Sequence, residues 1–144
     1  MNQNLIILAN FLAKVYFPKK IKAISSKEIL KEINVRLDII NNKLGTGFKS
    51  EIKDNQLRDM INYIRSNNLC TKGEICANSN GYFISKYKED VLDQIESMER
   101  RISGIKNAID GMRRNVKNYE NKPQENAKVV YNSKVPIGDL WDTL

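Results

Sequence analysis

Within residues 55–66, Gln56, Arg58, Asn62 and Arg65 alternate with the apolar positions Leu57, Met60, Ile61 and Ile64. Arginine makes paired hydrogen bonds to the guanine edge, and asparagine or glutamine to adenine. The apolar set repeats at i, i+3, i+4 and i+7, so a helix here buries one stripe and leaves the polar side chains on other faces. Such a face suits the major groove of duplex DNA. It equally suits plain solvent, the fate of most polar helix faces. Asp59 repels phosphate, although it can accept from cytosine or hold a neighbouring arginine.

Enzymatic chemistry has few footholds. The chain has no histidine, the commonest general base and metal ligand. Cys70 and Cys76 are too few for a structural zinc site; they could pair with each other, but without a secretory signal they are expected reduced, as small buried hydrophobes. There is no glycine-rich phosphate loop, no nucleophile stands beside a base, and Asp59 and Glu74 have no convergent partner in the sequence. The expectation is a chain that is not an enzyme and takes no metal and no cofactor.

Charge points to a partner instead. Twenty-four Lys and Arg against seventeen Asp and Glu give +7, which suits a polyanion. Residues 1–88 hold 15 basic and 7 acidic side chains, residues 89–118 hold six of each, and residues 119–144 hold three and four. Phosphate contacts are therefore expected in the first 88 residues, from Lys19, Lys20, Lys22, Lys49, Lys53 and Lys72. The longest apolar run, residues 5–9, is far below the ~20 residues that span a bilayer, so no membrane partner is expected. The N-terminus lacks the pattern of a cleavable signal. The abundance of Lys, Asn and Ile, residues of AT-rich codons, points to a low-GC bacterial or phage source, and with no secretory signal the cytoplasm of a bacterial host is the expected location.

These side chains need elements to hold them. Residues 4–17 read as a helix, with Leu5, Leu8, Leu12 and Val15 on one face, Asn4 as cap and Pro18 as terminator. Ser25 with Glu28 has capping-box spacing and opens a second helix through Ile29, Leu30 and Ile33. This helix is expected to continue over residues 35–45 and stop at Gly45. Residues 45–54 read as a loop, and Asp54 is expected to cap the third helix. The period then changes: residues 75–77 and 82–84 are β-prone around Asn78-Ser79-Asn80-Gly81, so a hairpin follows. Lys72, Lys86 and Lys88 flank it, with Asn78 and Asn80 at its tip. It reads as a wing lying on nucleic acid, or as an edge hairpin guarded by lysines. Three helices then a small hairpin is the order of a winged helix-turn-helix, so the fold class expected is mainly α, a winged helix-turn-helix followed by a long helix.

The run from Leu57 to Leu69 and the run from Ile75 to Ser85 resemble the recognition helix and wing of winged-helix proteins encoded by phages and prophages. Leu57, Arg58, Ile61, Arg65, Ile75, Gly81 and Tyr82 carry the likeness, which covers roughly residues 24–115. A trailing amphipathic helix is also familiar in those proteins. The stretch 35–53 departs from the pattern, being longer than the usual turn before the third helix. The resemblance implies DNA binding and leaves the biological role open.

Val91, Ile95, Met98, Ile102, Ile105, Ile109, Met112 and Val116 are spaced alternately by four and three. This is a candidate coiled-coil stripe. Ile95, Met98, Ile102, Ile105, Ile109 and Met112 are expected to join two copies, in parallel or antiparallel; the other reading folds the stripe back on the first helix. Gly104 and Gly111 weaken the helix by roughly 1 kcal/mol each relative to alanine. Residues 119–136 read as a linker containing Pro123. The segment 137–144 carries Leu140, Trp141 and Leu144 among acidic residues. It is either a docking peptide for a host protein or a strand of chain that lays Trp141 on its own domain.

The expected organisation is a winged helix-turn-helix domain over residues 1–88, a long amphipathic helix over 89–118, and a linker with docking tail over 119–144. Two functions fit: a DNA-binding transcription regulator or replication accessory of phage type, working as a homodimer, or a phage factor that uses the same scaffold to inhibit or redirect a host complex, as an anti-defence protein does.

Overall fold

A computed structural model describes residues 1–119; Leu140, Trp141 and Leu144 lie outside the described residues. The first helix, α1 (Gln3–Phe11), is capped two residues earlier than its sequence suggests. Asn2 rather than Asn4 is the cap, its Oδ1 accepting from Leu5 N at 2.9 Å. The helical run does not end cleanly at Pro18. It widens into a π-helical turn over Leu12–Tyr16, in which Phe17 N–H reaches back to Leu12 O, and tightens into a 3₁₀ turn over Phe17–Lys19 that contains the proline. The wide turn adds a residue per repeat. It brings Ala13 and Phe17 into the core beside Leu5, Leu8 and Leu12, and leaves Val15 half-buried.

Helix α2 (Ser26–Val35) is capped by Ser25, whose Oγ accepts from Glu28 N, as its spacing predicts. The expected continuous helix to Gly45 is broken. Arg36 sits at φ −108°, ψ 19°, and a separate helix α3 (Leu37–Leu44) follows, closed by Gly45 in the left-handed region at φ +71°. Residues 45–53 are the expected loop. Helix α4 (Asp54–Ser66) starts with Lys53, not Asp54, in the cap position; Gln56 Oε1 accepts from Lys53 N at 2.9 Å. Its stripe of Leu57, Met60, Ile61 and Ile64 is fully buried against α1 and α2.

Strands β1 (Glu74–Asn78) and β2 (Gly81–Ser85) form an antiparallel hairpin, with Ile75 opposite Ile84 and Asn78 opposite Gly81. Asn78 Oδ1 accepts from Asn80 N at 2.8 Å, which shapes the turn. The hairpin is tied to the helices by an isolated bridge: Ile24 and Tyr82 exchange both backbone hydrogen bonds at 2.9 Å. Ile75 and Cys76 complete the core.

Helix α5 (Lys88–Val116) follows. Its first turns are fastened to the hairpin, Ser85 Oγ donating to Asp90 Oδ2 at 2.6 Å and Ala77 N donating to Gln94 Oε1 at 2.8 Å. The chain divides into two units, Met1–Ile102 and one beginning at Ser103. In the first, Val91 and Met98 are half-buried while Ile95 and Ile102 are exposed, Ile102 at 64%. In the second, Ile105, Ile109, Met112 and Val116 are exposed. No described helix is long and apolar enough to cross a membrane.

Candidate functional site

The side chains picked out on α4 separate into three environments. Arg58 and Asn62 are exposed on its outer side. Arg58 Nε lies 3.6 Å from Asp54 Oδ2 one turn back, a loose pair in solvent that costs little to open. Gln56 is half-buried and its side-chain oxygen is engaged at the helix start, which leaves its amide nitrogen as the group able to bond a partner.

Arg65 corrects the sequence reading. It was expected beside Arg58 on the outward face, and it turns inward instead. Its Nε donates to Ile75 O at 3.0 Å, and one terminal nitrogen is buried without a partner among the described residues. The reason is position: Arg65 lies on the last turn of α4, where β1 returns past the helix and presents a carbonyl. In this arrangement Arg65 joins helix to hairpin and is withdrawn from the outer face.

The lysines divide in the same way. Lys19, Lys22, Lys49, Lys53 and Lys72 are exposed and have no ion-pair partner among the described residues. Lys20, expected with them, is held internally. Its Nζ stands 2.9 and 3.1 Å from the two Glu32 carboxylate oxygens and 5.0 Å from the centroid of the Tyr16 ring. Tyr16 donates to the same carboxylate at 2.5 Å. Those hydrogen bonds from Tyr16 and Lys20 hold the Glu32 carboxyl below its ordinary range, while burial and the adjacent carboxylate push the tyrosine hydroxyl well above its own.

Two asparagines that sequence reasoning passed over set the loop before α4. Asn34 takes Ile52 in a paired grip, accepting from its N at 2.8 Å and donating to its O at 3.0 Å. Asn41 does the same for Phe48, at 2.9 and 2.8 Å, and also accepts from the Thr46 hydroxyl. Each amide stands in for a strand partner, so Lys49 and Lys53 project from a clamped backbone. The only hint in the sequence was an asparagine beside an apolar stripe in each helix. The local charge is even, however: Lys49, Lys53 and Arg58 are matched by Glu51, Asp54 and Asp59.

The structure brings a different set together. Lys20, Ile21 and Lys22 face Asn78, Asn80 and Phe83 across an open cleft of about 490 Å3. None of Gln56, Arg58 or Asn62 lines it. A second, more apolar groove of about 440 Å3 is lined by Phe11, Val15, Ile39 and Leu44 together with Lys19, Arg36 and Lys43; Ile39 is exposed. Cys70 and Cys76 are free, and burial raises both thiols. Among the described residues no group of His, Cys, Asp and Glu is placed to hold a metal ion. No model of a known protein family matches the chain, and neither a curated protein nor a solved structure was found to be similar to it.

Proposed function

We propose that this chain is a winged-helix DNA-binding protein of phage type, a transcription regulator or replication accessory without catalytic activity. The observation that carries the reading is the bridge between Ile24 and Tyr82. It ties the hairpin to the segment between the first two helices, giving the hairpin a fixed place beside a three-helix core, as a wing requires. The buried stripe of α4, with Arg58 and Asn62 left outside, supports the same reading, and so does the basic excess of residues 1–88. Helix α3 is the departure from a plain winged helix.

In this reading Lys19, Lys22, Lys49, Lys53 and Lys72 supply salt-dependent phosphate contacts, and Arg58 with Asn62 reads base edges. The exposed stripe of α5 pairs two copies, which doubles the phosphate contacts and suits a two-fold site. The test is fluorescence anisotropy with random-sequence duplex at several salt concentrations. Binding should be micromolar or tighter and fall steeply with salt. Replacing Lys49 and Lys53 together by alanine should reduce the log–log slope by about 2, near 0.9 per phosphate contact. Salt-independent binding, or none at low salt, would sink the reading.

One observation favours a second reading, a protein-binding factor that redirects a host complex. The apolar groove between the α1 run and the α2–α3 corner offers a floor for another protein's side chains. In that case activity would survive loss of Lys49, Lys53 and Arg58 and fail when Ile39 is made polar.

A further inference from the structure

The short loop between the 3₁₀ turn and α2 is fixed at both ends. On one side Lys20 N donates to Phe17 O at 3.0 Å, and the Lys20 ammonium is pinned by Glu32 and Tyr16. On the other, Ile24 is bonded twice to Tyr82. Between these anchors Ile21 is 98% exposed. A lone apolar side chain on a surface is ordinary. This one stands at the tip of a braced loop, with Lys22 next to it and Lys19 two residues before it in sequence, and it lines a cleft together with Asn78 and Asn80.

We propose that Ile21 is an apolar wedge for the minor groove of duplex DNA, with Asn78 and Asn80 hydrogen-bonding to the groove edge and Lys19 and Lys22 on the flanking phosphates. The inference rests on the DNA-binding reading above and moves its centre from α4 to the loop and hairpin tip. Apolar side chains that enter the minor groove part a base step and bend the duplex by roughly 20–90°. A wedge needs a rigid base, because a floppy loop would recoil from the stacked bases; the two anchors provide one. The asparagine amides match the adenine N3 and thymine O2 acceptors that A·T pairs present there. A lipid surface would engage the isoleucine and lysines but leave the two amides without acceptors at fixed spacing.

The experiment uses the full chain and two duplexes of about 20 bp, one A/T-rich with a central TA step, which parts easily, and one of G/C pairs only. Dyes at the duplex ends report bending by energy transfer, and anisotropy reports affinity. The native chain should prefer the A/T-rich duplex and bend it. Ile21→Ala, whose exposed site leaves folding intact by circular dichroism, should lose roughly tenfold in A/T affinity, equivalent to about 1.4 kcal/mol, together with the bend. Ile21→Lys should keep overall affinity through its added charge, yet neither bend nor discriminate. The wedge is overturned if Ile21→Ala binds and bends as the native chain does, or if the native chain binds without bending. Failure of the native chain to bind either duplex at low salt would instead remove the DNA reading itself. Sedimentation with phosphatidylglycerol vesicles is the last arm: loss of vesicle binding in Ile21→Ala with unchanged DNA behaviour would assign the residue to a membrane surface and overturn the proposal.

Discussion

Replacing Gly81 by alanine should unfasten the hairpin from the helices. Gly81 has φ +127°, a conformation that side-chain-bearing residues rarely adopt. A Cβ there would also collide with the Ile24 carbonyl and lie 2.6 Å from Ser25 N. These are backbone atoms, so no rotamer change relieves the clash, and the bridge must open. Such a backbone conformation costs about 1–3 kcal/mol. The two hydrogen bonds between Ile24 and Tyr82 add about 0.5–1.5 kcal/mol each. The expected loss is about 4 kcal/mol, a large share of the 5–15 kcal/mol typical of a domain. Urea unfolding followed by far-ultraviolet circular dichroism measures it, and hydrogen exchange at the Ile24 and Tyr82 amides shows whether the bridge is the part that opens. Gly47→Ala is the control, because its Cβ would meet only Asn4 Nδ2 at 3.8 Å. A loss under about 1 kcal/mol for Gly81→Ala, or amides that stay protected, would refute the reasoning, since either would mean the hairpin holds its place without the bridge.

Other consequences are open to simple measurement. Because the Glu32 carboxyl is held below its ordinary range by Tyr16 and Lys20, the stability it adds is present above the unfolded value of about 4.3 and is lost as pH falls through the lower folded value. Urea midpoints across that acid range should therefore drop more steeply for the native chain than for Glu32→Gln. Arg65→Ala should lower stability by about 1–3 kcal/mol, since it frees the Ile75 carbonyl, while the folded variant keeps the DNA affinity that the proposed function expects; weakened binding at unchanged stability would return Arg65 to the outer face. Ile102→Glu, at an exposed stripe position, should turn the dimer proposed above into a monomer in sedimentation equilibrium with its helix content intact. A native chain that is already monomeric at high concentration would remove the stripe from any role in self-association.

The periodicity of α4 told in advance which of its residues are buried, because a single helix facing one core has one apolar stripe and Leu57, Met60, Ile61 and Ile64 spell it out. The hairpin and its turn were equally legible, since Asn78 and Gly81 favour a turn through their own backbone preferences; that Gly81 also lies against the Ile24 carbonyl was not. Local chemistry also placed Ser25 and Gly45 at their helix ends. The break at Arg36 and the π-helical turn after Phe11 were not readable, because each settles a competition between helix continuity and the packing of a core assembled from other segments. The fate of the cations was decided in the same way. Arg58 and Arg65 look alike in sequence, yet only Arg65 meets a carbonyl that arrives from ten residues further along the chain. Lys20 differs from Lys19 and Lys22 only because α2 sets Glu32 beside it. Sequence by itself determined which residues could be charged, helical or turn-forming, since those are properties of a residue and its near neighbours. Which charges stay free to meet a partner depends on groups brought close by folding, and that only the tertiary structure decided.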